Sequence, residues 1–116
     1  MSNKSIPDLV NGGWRKLAFE YFRDGIEVHW LSRGGVTDPT VSVLKYGPGS
    51  GVPRHRHVGL VSIIVSDGVQ RDEAGDYSAG TLVLNKVGSE HSVWTKDGCI
   101  VLIQWALPVL ILGDEK

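Results

Sequence analysis

The chain contains a single cysteine, Cys99, among its 116 residues. One thiol cannot close an intramolecular disulfide, so no disulfide framework holds the fold. The cytoplasm, a reducing compartment, is the expected setting. Long apolar runs are also missing. The opening MSNKSIPDLVNGGW holds nothing that could serve as a signal sequence, and no stretch approaches the ~18 apolar residues of a membrane span. The most apolar segment, Cys99–Leu112, is interrupted by Gln104 and Pro108 and reads as buried strand. There is no basic excess either. Twelve Lys and Arg against thirteen Asp and Glu give a formal net charge of -1, with the cations scattered. Nucleic acid and anionic membrane surfaces are therefore not expected partners. Sustained helical periodicity, internal repeats and low-complexity tracts are absent as well.

What the chain does have is glycine, 15 residues spread along its length, with five prolines. They cut the sequence into short β-rich runs, the pattern of a sandwich or barrel. The length suits one domain. Residues 1–13 are expected to be an N-terminal arm, and 14–116 the folded domain. Trp14–Phe22 is open to either a strand or a short helix. Ile26–Leu31 alternates, with Ile26, Val28 and Trp30 on one face and Glu27 and His29 on the other. Val41–Tyr46 is the next strand. Val52–Ser66 is expected to be one long strand kinked at Gly59. Asp67-Gly68 then reads as a hairpin turn before a short strand Val69–Asp72. Further turns fall at Glu73–Asp76, Ala79-Gly80, Val87-Gly88 and Asp97-Gly98.

His55 and His57 are separated by one residue. On a strand both side chains point to one face, close enough to grip one ion, and imidazole suits zinc, iron, copper and nickel. Taken alone, such a pair is equally two hydrogen-bonded polar residues. Its surroundings are more specific. Gly49, His55, His57, Val61 and Gly68 lie where the cupin motif G-x₅-H-x-H-x₃-E-x₆-G has its fixed positions. Gly80, Lys86, Gly88, His91 and Thr95 lie where G-x₅-P-x-G-x₂-H-x₃-N has its own. The chain thus resembles the cupins, with Val61, Lys86 and Thr95 in place of glutamate, proline and asparagine. It is most similar to the branch holding the cupin domain of ChrR-type anti-sigma factors and the diketone-cleaving (acetylacetone) dioxygenases. The resemblance runs through GIEVHWL (Gly25–Leu31), YGPGSGVPRHRHVGL (Tyr46–Leu60), RDEAGDYSAGT (Arg71–Thr81) and GSEHSVWTKDGC (Gly88–Cys99), covering about residues 14–105.

The resemblance implies an all-β, RmlC-like double-stranded β-helix, or jelly-roll barrel. It implies one divalent metal ion on His55, His57 and His91, with Fe(II) or Zn foremost and Ni or Mn as further candidates. The turn Gly88-Ser89-Glu90 would aim His91 at the ion. Valine cannot replace the usual glutamate ligand, so Val61 leaves three neutral imidazoles and open positions on the ion. That arrangement favours anionic bidentate ligands such as enolates. The alternative is a site that has lost its metal along with its glutamate.

Other conspicuous residues carry plainer expectations. His29, Arg54 and Arg56 read as surface groups, and Glu90 as a surface group or a support for a ligand. Trp30, Tyr46, Trp94 and Trp105 could wall a pocket but are more simply core. Cys99 reads as a small buried hydrophobe. Asp72, Glu73, Asp76 and Tyr77 read as a solvated acidic turn. The functional expectations are an iron(II) dioxygenase acting on a small diketone-like compound, or a non-catalytic sensor or ligand-binding module. Plain metal binding is the third. No catalytic residue beyond the ligands is indicated. The zinc-bearing domain that precedes the cupin in ChrR-type proteins has no counterpart in residues 1–13, and no C-x-x-C occurs. A complete anti-sigma factor of that type is therefore not expected. The apolar tail Leu107–Leu112 suggests a homodimer, because an uncovered apolar edge invites pairing.

Overall fold

The computed structural model describes residues 3–35 and 37–112. The first two residues of the expected arm, Val36 and the last four residues of the expected domain lie outside them. Two 3-10 turns, Leu9–Asn11 and Gly13–Lys16, precede ten strands. These are β1 (Glu20–Arg23), β2 (Ile26–Ser32), β3 (Thr40–Tyr46), β4 (Gly51–Arg56) and β5 (Val61–Asp72), followed by β6 (Gly75–Ser78), β7 (Leu82–Asn85), β8 (Glu90–Trp94), β9 (Cys99–Trp105) and β10 (Leu110–Ile111). Trp14–Phe22 thus holds both alternatives, a helical turn and then the start of a strand.

All the pairings are antiparallel, and they form the two faces of a barrel. One face runs β1-β2-β3-β9-β5, with β7 on the far side of β5. The other runs β10-β4-β8, then the C-terminal end of β5, with β6 beside it. β5 belongs to both. Its first part pairs with β7 and β9, and Arg71 and Asp72 pair with β8. A strand changes sheets at a bulge or bend, and β5 has one: its register on β9 shifts between Val65 and Asp67.

Asp67-Gly68 is therefore a bulge and not the expected hairpin. Gly68 adopts φ +75, and a Cβ there would stand 2.3 Å from the Gly98 carbonyl oxygen. The positive φ that suits a hairpin turn suits a bulge equally. A second expectation also changes. Val52–Ser66 is not one kinked strand, because β4 ends at Arg56 and β5 begins at Val61 in other pairings. The link passes tightly under the β9–β10 turn. A Cβ on Gly59 would lie 3.0 Å from the Leu107 nitrogen, and the Leu60 carbonyl accepts a hydrogen bond from Ala106 N.

The core lies between the sheets. Ile26 and Val28 of β2, Leu44 of β3, Val61, Ile63 and Val65 of β5 and Val101 and Ile103 of β9 are buried together. These are alternate positions on their strands, and each buried aliphatic side chain contributes roughly 1.5–3 kcal/mol. Cys99 joins this core as expected, and burial pushes its thiol up to about 11.

Candidate metal centre

The three histidines converge at the β4–β8 end of the barrel. His55 on β4 is the direct cross-strand partner of His91 on β8. One extra residue on β4 between Val52 and His55 sets that register. Pro53 lies in this bulge, where a missing N–H costs the ladder nothing. His57 follows just beyond β4. Its backbone N donates to Ser89 O, and its carbonyl accepts from Gly88 N at 2.7 Å. The Gly88-Ser89 turn thus secures His57, whereas His91 takes its place from β8. The ring centroids stand 5.0, 4.7 and 4.7 Å apart, and a ligand nitrogen from each lies within 4.8 Å of the others.

Each imidazole is tied outward through Nδ1. His55 Nδ1 donates to the Pro53 carbonyl at 2.9 Å. His57 Nδ1 is 3.1 Å from the Ser89 carbonyl and 2.9 Å from its hydroxyl oxygen. That hydroxyl donates to Lys86 O, so its oxygen is free to accept. His91 Nδ1 donates to Asp72 Oδ2 at 3.0 Å. Carbonyl and carboxylate oxygens can only accept, so each Nδ1 carries a proton, and in the neutral ring that leaves the lone pair on Nε2. Outward hydrogen bonds of this kind orient metal-ligating histidines. The donor set suits a divalent transition metal.

Burial favours the neutral ring. It pushes His55 below the ordinary histidine value, against the opposing Pro53 hydrogen bond. It lowers His57 to about 4, helped by the neighbouring His91 and His55. Neutral imidazole is the ligating form.

Asp72 is the residue that the expectation of a solvated acidic turn missed. Its carboxylate is 8% exposed and accepts from His91, from Tyr77 Oη at 2.9 Å and from the Ala74 backbone at 2.8 Å. Burial works to raise this carboxyl, but the hydrogen bonds outweigh it and hold the pKa below its usual value. The tight turn after Asp72 was legible in the sequence. The carboxylate's partner nineteen residues away was not. Glu73 accepts from the Ser92 hydroxyl and backbone. Glu90 pairs outside with Arg56 at 2.8 Å and Arg54 at 3.4 Å, and His29 Nδ1 contacts Ala18 O away from the site.

The histidines open into a cavity of about 360 Å³. Val61 lines it from β5, a different strand from the one that ends before His57. Trp30, Tyr46 and Trp105 line it too, so they wall a pocket as well as filling core. Trp94 does neither and is 40% exposed. Phe22, Trp30 and Trp105 pack on one another with centroids 5.9 to 6.4 Å apart.

A two-sheet β-barrel with histidines from β4 and β8 converging on its interior defines the cupin class of protein. Residues 12–107 match the family described as the ChrR Cupin-like domain, and the chain belongs to it. No curated protein is similar to it in sequence. Among solved structures, an RmlC-like cupin protein from Ralstonia eutropha JMP134 is 23% identical, with TM-score 0.73, covering 84% of this chain and 66% of its own. The anti-sigma ChrR in complex with SigE, from Rhodobacter sphaeroides, is 25% identical, with TM-score 0.72, 85% and 56% covered. An acetylacetone dioxygenase from Acinetobacter johnsonii shares the fold at 16% identity, with TM-score 0.75, 83% and 72% covered. The chain thus spans less than two thirds of the length of ChrR.

Proposed function

We propose that His55, His57 and His91 hold one divalent metal ion, Fe(II) or Zn foremost, and that the domain uses it on a small anionic oxygen ligand. The carrying observation is that each Nδ1 is engaged by a hydrogen bond while a ligand nitrogen from each ring lies within 4.8 Å of the others. Ni would suit the same imidazole donors, and Mn, which favours oxygen ligands, would suit them less. Metal analysis of protein purified without added metal is the test. Wild type should carry close to one equivalent, and His57→Ala none. Wild-type occupancy in the variant overturns the ligand set.

The activity favoured is iron(II)-dependent dioxygenation of a small diketone-like compound. A bound ion would supply Lewis acidity and, as iron(II), electrons toward dioxygen. The chain's own contribution is to orient the imidazoles, to leave open positions beside Val61 and to exclude water with apolar walls. Likeness in fold to the Acinetobacter enzyme supports this at the level of architecture. Oxygen uptake by iron-loaded protein over a panel of diketones tests it, and no uptake with any of them overturns it.

A second reading, a non-catalytic sensor module, is favoured by membership of the ChrR Cupin-like family and the likeness to ChrR itself. It predicts ligand binding without turnover. We propose a cytoplasmic setting, since a lone unpaired thiol suits a reducing compartment. Among the described residues no helix is long and apolar enough to cross a membrane. We also propose a homodimer. β10 leaves Leu110 47% exposed at the end of the second face, and Leu82, Leu84 and Val87 are exposed elsewhere. A one-subunit mass by light scattering at micromolar concentration would rule it out.

A further inference from the structure

We propose that the side-chain amide of Asn85 donates a hydrogen bond to an oxygen of the ligand at the three-histidine site, and that this ligand is an oxyanion with a flat, apolar tail. This rests on the metal site proposed above and names the ligand class that it takes.

Asn85 ends β7 and is the direct cross-strand partner of Val61 on β5. It is 8% exposed, and its Nδ2 is buried with no hydrogen-bond partner among the described residues. A buried donor without an acceptor is costly, and such a group calls for an explanation. Both Asn85 and Val61 line the cavity with the three histidines. The valine methyls cannot accept a hydrogen bond. Where a cupin glutamate would bring an oxygen to the ion, this chain has an apolar wall with an unused donor beside it.

The charge balance points the same way. Among the described residues lining the cavity there is no Asp or Glu, and Asn85 contributes an unused donor. A dication on neutral imidazoles and an amide donor together select a ligand that carries its own negative oxygen. The rest of the wall sets the tail. Phe22, Trp30 and Trp105 form a packed aromatic group on the lining, with centroids 5.9 to 6.4 Å apart. Rings of this kind favour stacked or edge-on flat partners. A cavity of about 360 Å³ lies in the range of small-molecule sites, with room for a one-ring compound.

The probe is benzoylacetone as its enolate, titrated into zinc-loaded protein, with acetylacetone as the tail-free comparison. Asn85→Leu should keep the wild-type zinc content and chelator resistance. It should bind the enolate about tenfold more weakly. Asn85→Asp should bind it more weakly still, because a like charge faces the enolate. Wild type should prefer benzoylacetone to acetylacetone. In wild-type protein labelled with nitrogen-15, the Asn85 side-chain amide resonance should move on adding the probe, a readout that needs no variant to fold. Equal enolate affinity in Asn85→Leu at equal zinc content overturns the role of Asn85 and leaves the metal site standing. An unmoved amide resonance does the same. Wild-type protein without stoichiometric zinc overturns the site and this inference together, and metal analysis registers that outcome separately.

Discussion

His91 Nδ1 donates to Asp72 Oδ2 across 3.0 Å, joining the middle of the site on β8 to the far end of β5. The same carboxylate accepts from Tyr77 and from the turn backbone at Ala74 and Gly75. The β5–β6 hairpin and the imidazole therefore share one anchor. Fixing the His91 tautomer from outside raises its basicity as a ligand.

Asp72→Asn should keep the barrel but weaken the hold on the imidazole. Metal affinity should fall about 10- to 100-fold, read by competition with a chelator. Far-UV circular dichroism should match wild type. Unchanged affinity would mean that the hydrogen bond serves only the hairpin.

Val61→Glu places a carboxylate on the wall of the cavity that the three histidines also line. The variant should still hold metal, more tightly than wild type, because one ligand now brings negative charge. It should bind diketonate anions more weakly and turn them over more slowly. The comparison needs matched iron content, since an empty site would mimic the effect. Equal diketonate binding would show that the missing carboxylate is incidental.

Acid should destabilise the metal-free protein through His57. Its folded value of about 4 lies below the ordinary 6.5, so between these the unfolded chain binds the extra proton. Stability present above pH 6.5 is lost as pH falls toward 4. His55, also lowered by burial, acts in the same sense. In chelator, Tm should decline across this window, and His57→Asn should flatten the decline. An identical slope in both proteins would remove His57 as the cause.

Gly68→Ala tests the bulge. The new Cβ meets the Gly98 carbonyl oxygen at a backbone φ of +75. A loss of about 1–3 kcal/mol in urea unfolding is expected. A cost of a few tenths would mean that the bulge relaxes freely.

Sequence alone determined the cupin fold and the candidate ligand set. Glycine and histidine spacing at His55, His57 and His91 is local information, and alternation along β2 assigns its faces without reference to any partner. Only tertiary structure decided the path between and beyond these positions. A positive-φ glycine serves a hairpin or a bulge alike, so Gly68 could not say that β5 runs on and changes sheets. Gly59 could not say that β4 and β5 part company, because the β9–β10 turn that crowds it lies far along the chain. The same limit hid Asp72 and Asn85. An acidic residue beside a turn and a polar residue ending a strand look solvated until their surroundings are known. Burial and hydrogen-bond partners are properties of the packed chain, set by strands that meet only once the barrel closes.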